Sequence, residues 1–397
     1  MIYAISNSLL YVCFAIVIGI CLLSLVPEDK KPKLVLPKKW LAGSVLCIPV
    51  LAIIPVLDLA FSVNGYREEF ILASFFYVLQ HIEAGRAWTA LLFFSIIFLV
   101  LIWMMCKQLS SSNVYLFGLL LAFGMIVTQG VVGHSANMGS YPGATSHILH
   151  LLAVSCWVGA LFVVSWFSNN DDNWHHFIDW FTPVAFTCVI TVSFSGVFMT
   201  FFLTESIFNS WMLTYGQALL LKHLLFIPLL VFASINGFFI RKKIKQMPNL
   251  SPRRWWRAES IIILTIFVVT GFMSEQEPPH NIAHTLNRED SSVLFQSLVS
   301  FPIGPDTELF FQPDWLSLIF LVVGIVFLLL VIYAFNQGFS PIGAVISGIL
   351  AVSSMYLGII NNVEPEFRME ALQETVSYGV LFFNRKVNPV FPKHIES

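Results

Sequence analysis

The chain has 397 residues, of which 57% are hydrophobic and 11% charged, and its mean hydropathy is +0.79. A water-soluble domain needs roughly 25% charged residues to solvate its surface, so this composition excludes a soluble protein and predicts an integral membrane protein. The net charge of −2 gives no electrostatic basis for binding nucleic acid.

Ten stretches are long and apolar enough to cross a bilayer, which requires about 20 mostly apolar residues. They predict an all-α polytopic membrane bundle of about ten transmembrane helices, at approximately 3–26, 40–61, 87–106, 114–133, 146–167, 180–203, 214–240, 258–274, 314–336 and 340–361. The last two come from one uncharged run, which the turn sequence from Asn336 to Pro341 divides. Met1 to Val26 carries no charge and is too long for a signal-peptide core, so we interpret it as an uncleaved first span.

Basic residues predict the orientation, because cytoplasmic loops are enriched in lysine and arginine. Such residues concentrate in two segments, 27–39 and 241–257. Six predicted spans separate these segments, so both are expected on the same, cytoplasmic side. Both termini then face outward, together with the loops at 62–86, 134–145, 204–213 and 275–313. The tail at 362–397 carries basic residues that oppose this placement, and 367–384 is compatible with a short amphipathic surface helix.

Three histidines and one methionine gather within 17 positions where the fourth and fifth spans meet: His134, Met138, His147 and His150. His134 is expected to end the fourth span. Thr145 or Ser146 is a natural N-cap for the fifth, which would place His147 and His150 on one face of its first turns. Imidazole and thioether together suit Cu(I), whereas imidazole alone also suits Zn(II). The pattern predicts an outward-facing metal site with copper favoured, and the alternative is interfacial histidines with ordinary hydrogen bonds.

Other polar residues fall inside the predicted spans, where an ionisable group usually faces a partner or a cavity. Lys222, beside His223, either faces such a partner, for which Asp58 is one choice, or extends its amine to the outer interface. The sixth span carries a weakly polar stripe at steps of four: Thr187, Thr191, Ser195 and Met199. This stripe is either a permeation wall or a packing surface beside Gly196. Glu205, just beyond it, is either an outer attractor for cations or a solvated loop residue.

Five sequence features follow one another along the chain: Gly133-His134, the His147 and His150 pair leading to Trp157-Val158-Gly159, Tyr215 to Lys222 with the later Asn236, Arg257-Ala258-Glu259, and Glu277-Pro278-Pro279. In this order, over roughly residues 115–280, they resemble the CopD family of copper-resistance membrane proteins. The resemblance implies a cell-membrane protein that moves copper, often with a small periplasmic or extracellular CopC-like copper-binding partner. Carried over by position, it marks His134, His147, His150 and Lys222 as functional.

The resemblance also divides the chain into four parts. These are three N-terminal helices at 1–113, a CopD-like core at 114–280, an outer loop with the last two helices at 281–361, and a polar tail at 362–397.

We therefore expect a protein that transports copper inward across the cytoplasmic membrane. Met138 and the three histidines would capture the ion, and a pathway would follow along Lys222, His223, Met199, Ser195, Thr191 and Glu205. Two alternatives stay open: a haem-binding electron carrier ligated by His150 and His223, and a factor that delivers copper to a respiratory oxidase. No nucleophile–base pair stands out, so no enzymatic activity is predicted.

Overall fold

The computed structural model describes residues 1–35, 38–67, 70–106, 112–169, 172–246 and 252–366; the predicted amphipathic helix at 367–384 lies outside these ranges. In the described residues the α-helices are α1 (Ile2–Leu25), α2 (Lys38–Arg67), α3 (Ile71–His81), α4 (Glu83–Cys106), α5 (Ser112–Gly130), α6 (His134–Phe167), α7 (Trp174–Leu203), α8 (Ile207–Ser210), α9 (Thr214–Ser234), α10 (Ile240–Gln246), α11 (Arg253–Met273), α12 (Ile282–Arg288), α13 (Val293–Gln296), α14 (Trp315–Asn336) and α15 (Pro341–Ile360). A 3₁₀ turn at Glu28–Lys30 and a π-helical segment at Ile235–Phe239 complete the helical structure.

Ten helical segments of this described part are long and apolar enough to span a membrane, which confirms the predicted all-α bundle. Two predicted loops are wrong. In the stretch 62–86, α2 continues to Arg67, and the apolar helix α3 buries Ser74 and Val78 against its neighbours α2 and α4. In the stretch 134–145, the chain is already helical from His134 onward. Both stretches form helices because packing overrides the glycines and polar residues that favoured loops.

Helix α1 lies at the centre of the bundle, in contact with α2, α5, α6 and α11. Its crossing with α6 depends on two glycines: a Cβ on Gly19 would lie 2.2 Å from the carbonyl oxygen of Gly159, and one on Gly159 would lie 2.2 Å from that of Ala15. Small residues at such crossings let helix backbones approach closely in a membrane. The crossing holds α6, and with it the predicted histidine site, against the core.

The last two helices form an antiparallel hairpin through the turn that the sequence predicted. Asp314 caps α14 and Ser340 caps α15 through side-chain oxygens, while Gly338 takes a left-handed φ of +73° between the helices. Strand β1 (Glu308–Phe311) precedes the hairpin and pairs antiparallel with β2 (Val363–Glu366) after it. This two-stranded sheet is a minor addition to the all-α bundle, and it places the start of the tail on the same face of the bundle as the 275–313 segment.

Both basic segments, 27–39 and 241–257, contact residues near the start of α7. The indole nitrogen of Trp180 donates to the carbonyl oxygen of Lys30 at 2.8 Å, and Arg241 donates to Asp179 at 2.6 Å. Their predicted location on one side is therefore confirmed. We call this end of the bundle the basic face and the opposite end, with residues 204–213 and 275–313, the histidine face.

Candidate functional site

The fifth span begins earlier than predicted, and its first turns are bent. A straight helix of about 14 residues would separate Gly133 from His147 by roughly 21 Å. Instead, a Cβ built on Gly133 would lie only 2.3 Å from Nδ1 of His147. The chain therefore folds back between these positions, and Pro142, inside α6, supplies the usual cause of a helix kink.

Neither predicted N-cap residue caps this helix. The Thr145 hydroxyl donates to the carbonyl of Tyr141, one turn back, and Ser146 donates to the carbonyl of Ser195 on α7 at 3.1 Å. The capping prediction is wrong because Tyr141 and Pro142 already belong to the helix. Ser146 instead joins α6 to α7 beside the histidine pair.

His147 lies against the end of the preceding span. Its ring contacts Gly133, and its neighbour Ile148 packs on Gly130. Because His134 directly follows Gly133, its backbone is brought close to the His147 ring, although it starts α6 rather than ending α5. The side chains of His134 and Met138 lie outside the described part of the structure.

His150 points toward α7. Its Nδ1 lies 3.1 Å from the carbonyl oxygen of Val192 and 3.0 Å from the hydroxyl of Ser195. Because a carbonyl oxygen only accepts, Nδ1 carries the proton and Nε2 keeps the lone pair that a metal needs. A hydrogen bond of this kind on the second ring nitrogen orients many metal-binding histidines.

The depth of His150 follows from helix geometry. About 17 residues separate it from Phe167, where α6 ends on the basic face, which corresponds to roughly 25 Å. A bilayer core is about 30 Å thick, so a bilayer that begins at Phe167 would have its opposite boundary about 5 Å beyond His150. Ser195 and Lys222 lie at a similar depth, each roughly 12 Å from the end of its helix on the histidine face.

The hydroxyls of the polar stripe on α7 bond mainly to their own helix. Thr187 donates to Pro183 at 3.0 Å, Thr191 to Thr187 at 2.9 Å, and Ser195 to Thr191 at 2.5 Å. Thr187 is exposed, whereas Ser195 is buried and borders His150. Gly196 lies next to the same ring, with its Cβ position 3.4 Å from His150 Cε1. Ser195 is thus the stripe residue that contacts the histidine pair.

Lys222 and His223 lie on α9, within electrostatic range of His150. Nδ1 of His223 donates to the carbonyl of Leu219 at 2.7 Å, which again leaves Nε2 with the lone pair. Asp58, one predicted partner of Lys222, is hydrogen bonded to Tyr3 of α1. Polar groups from α6, α7 and α9 therefore gather near one depth of the bundle.

Two further predicted residues, Met199 and Glu205, lie near this region. Met199 is half-buried on α7, one turn beyond Ser195. Glu205 is exposed, and its backbone N–H donates to the carbonyl of Pro279 at 3.3 Å. Among the described side chains, no three His, Cys, Asp or Glu residues lie close enough together to hold a metal ion. The metal site predicted from the sequence, with His134, Met138, His147 and His150, stays a prediction.

Sequence reasoning missed one polar contact deep in the bundle. Asn236, in the π-helical segment, donates from Nδ2 to Oε2 of Glu259 on α11 at 2.5 Å. Helical spacing would place Asn236 on the same face as Lys222, but the hydrogen-bond partner of Asn236 is on another helix. Both residues belong to the motifs that carry the family resemblance, which was the available signal.

Comparison with known proteins gives concordant matches. The family model described as copper resistance protein D matches residues 175–273, and the model for the copper resistance protein D-like N-terminal domain matches residues 1–144. The copper transport protein CutJ of Bacillus subtilis (strain 168) is 26% identical over 288 residues, which cover 69% of this chain and 53% of that protein. The chain thus spans about half the length of this curated relative. No solved structure matches the chain.

Proposed function

Because this chain belongs to the copper resistance protein D family of multi-pass membrane proteins, we propose that it carries copper inward across the cytoplasmic membrane. The observation that carries this proposal is the convergence near the histidine face of His147, His150 and the backbone at His134. The family supports a role in copper transport or resistance, and the inward direction is our inference from where the imidazoles lie.

In this proposal the ion is captured by His134, Met138, His147 and His150. The contact between His147 and Gly133 supports a shared site, because it brings the chain at His134 within reach. The bond from His150 Nδ1 to Val192 leaves Nε2 for the metal. Soft thioether and imidazole donors favour Cu(I) over harder cations.

Beyond capture, the ion would meet groups that bind weakly enough to release it. Ser195 borders His150 directly, and His223 offers a second imidazole at a similar depth. Thr191 and Met199 continue the stripe in the two directions along α7, and Glu205 would attract cations at the surface. Lys222 would fix the position of anionic or carbonyl groups near this route.

Orientation follows from charge. The basic face carries the lysine- and arginine-rich segments and is proposed to be cytoplasmic, which places the N-terminus and the histidine face outside. A CopC-like copper-binding protein would then deliver copper to the histidine face. Its docking surface would include the ordered segment 275–313.

The test is copper accumulation in cells that express the chain. Replacing His147 and His150 together by alanine is expected to reduce accumulation to the level of cells without the protein, because two of the capture ligands are lost. His176→Ala is the matched control, since His176 is an exposed histidine on the basic face. Membrane content is measured for each variant.

Unchanged accumulation in the double variant would remove the capture site from the proposal. Increased accumulation would reverse the proposed direction, because a damaged exporter retains copper in the cell. Metal analysis of the purified protein, with and without the two substitutions, separates lost binding from lost transport.

A further inference from the structure

The contact between Asn236 and Glu259 lies where the helical pattern changes. α9 passes into a π-helical turn at Ile235–Phe239, and such turns occur often at functional sites. The turn brings Asn236 against Glu259, and both residues are almost fully buried, with 2% and 1% of their surface exposed. Nδ2 of Asn236 also lies 3.4 Å from the carbonyl oxygen of Trp255.

Each of the two side chains keeps one buried oxygen without a hydrogen-bond partner among the described residues. These atoms are Oδ1 of Asn236 and Oε1 of Glu259. A buried acceptor left unsatisfied costs about 1–3 kcal/mol, and a buried carboxylate costs considerably more. An ionised Glu259 would therefore be strongly unfavourable in this environment.

No cation compensates the carboxyl group in the described structure. The helices that pack on α11 are α1, α6, α9 and α15. Three charged groups near this end donate to backbone carbonyls: Arg257 to Ser165, Lys243 to Phe335, and Lys31 to Leu23. The recorded polar partner of Glu259 is the uncharged Asn236.

We propose that Glu259 and Asn236 form a buried proton-binding site in which Glu259 is a neutral carboxylic acid. A proton taken from solvent and placed on Oε1 turns this acceptor into a donor toward Oδ1 of Asn236, while Nδ2 donates to Oε2. One proton thus satisfies both remaining oxygens in a cyclic acid–amide pair. This inference does not depend on copper transport.

A metal ion is a poorer occupant of the same position. Hard cations such as Ca²⁺ and Mg²⁺ need about six or more oxygen ligands, whereas the two side chains provide two free oxygens. Soft ions prefer sulfur or imidazole. The composition of the site therefore favours a proton.

The test is infrared spectroscopy of the purified full-length chain at neutral pH, in a detergent without a carbonyl group. The wild type is expected to show the C=O band of a protonated carboxylic acid, with a shift on transfer to D₂O. Glu259→Gln is expected to lose this band and remain folded, because glutamine reproduces both hydrogen bonds. Glu289→Gln is the matched control and keeps the band, since Glu289 is an exposed carboxylate.

Asn236→Leu provides a second measurement. Without the amide, the acid band is expected to move to higher frequency, because its carbonyl no longer accepts a hydrogen bond. A wild type without the band, or a band that persists unchanged in Glu259→Gln, would overturn the proposal. A stoichiometric metal ion that is lost in Glu259→Gln would also overturn it.

Discussion

Gly133→Ala tests whether the contact between Gly133 and His147 positions the capture site. Gly133 has φ −72° and ψ 158°, which alanine adopts without strain. The substitution therefore acts through its added methyl group. That methyl would lie 2.3 Å from Nδ1 and 2.5 Å from Cε1 of His147.

The size of the effect follows from this distance. An ordinary carbon contact is about 3.5 Å, so the imidazole must move by roughly 1 Å. Ligating side chains need placement within about 0.5 Å, and a displacement of about 1 Å can reduce activity as much as 100-fold. We expect copper accumulation to fall at least about tenfold, and the overpacked methyl to cost about 1–3 kcal/mol of stability.

The assay combines copper accumulation in cells with thermal unfolding of the purified protein. Gly43→Ala is the matched control, because a Cβ on Gly43 meets no heavy atom within 4 Å. It also lies inside a helix, where alanine is preferred over glycine by up to about 1 kcal/mol. The control should accumulate copper as the wild type does and be at least as stable.

A double-mutant cycle identifies the cause of any instability. If the methyl acts on the imidazole, Gly133→Ala loses its destabilising effect in a His147→Ala background, where the ring is absent. Two results would contradict this prediction: wild-type copper accumulation by Gly133→Ala, or an equal loss of stability in both backgrounds.

Two further substitutions test neighbouring contacts. Ser195→Ala removes one partner of His150 Nδ1 and leaves the other, so we expect copper binding to weaken by about tenfold, the low end for such supporting contacts. Thr187 is an exposed residue of the same stripe, so Thr187→Ala should bind copper normally. An equal loss of copper binding in Ser195→Ala and Thr187→Ala would contradict the role of Ser195 in orienting His150. Gly159→Val places a side chain against the Ala15 carbonyl, so we expect loss of folded protein in the membrane, measured as monodisperse yield in detergent. A normal yield of Gly159→Val would show that α1 and α6 can move apart at their crossing without loss of the fold.

The number of spans and their positions along the chain were predictable, because the length of each apolar stretch determines whether it can cross a bilayer. The uncharged run from Trp315 to Val363 was divided correctly, since Gly338 and Pro341 mark a turn that bilayer thickness also requires. The location of the two basic segments at one end of the bundle was equally predictable, because an even number of spans separates them. These features depend on local composition, which a single sequence contains.

The start of α6 was not predictable in the same way. Its first turns hold Gly139, Gly143 and several small polar residues, which locally favour a loop. The contact of His147 with Gly133 shows that tertiary packing determines this stretch, and spacing along the chain does not contain that information. The membrane depth of these polar residues stays a prediction from the sequence.

Helical periodicity also does not predict the hydrogen-bond partner of Asn236. A regular helix pattern relates Asn236 to Lys222, but the π-helical turn changes the register at Ile235. Such a turn leaves no clear sequence signature, so the pairing with Glu259 needed three-dimensional structure.

The sheet of β1 and β2 has a mechanical consequence for the end of the chain. It joins the segment before α14 to the segment after α15, so the hairpin is closed by backbone hydrogen bonds at the end opposite its turn. α14 itself buries few residues, so the ladder and α15 together keep it attached. Because the turn and the ladder tie α14 to α15 at both ends, α14 cannot leave the bundle without displacing α15, which packs on α9 where Gly348 meets Pro228.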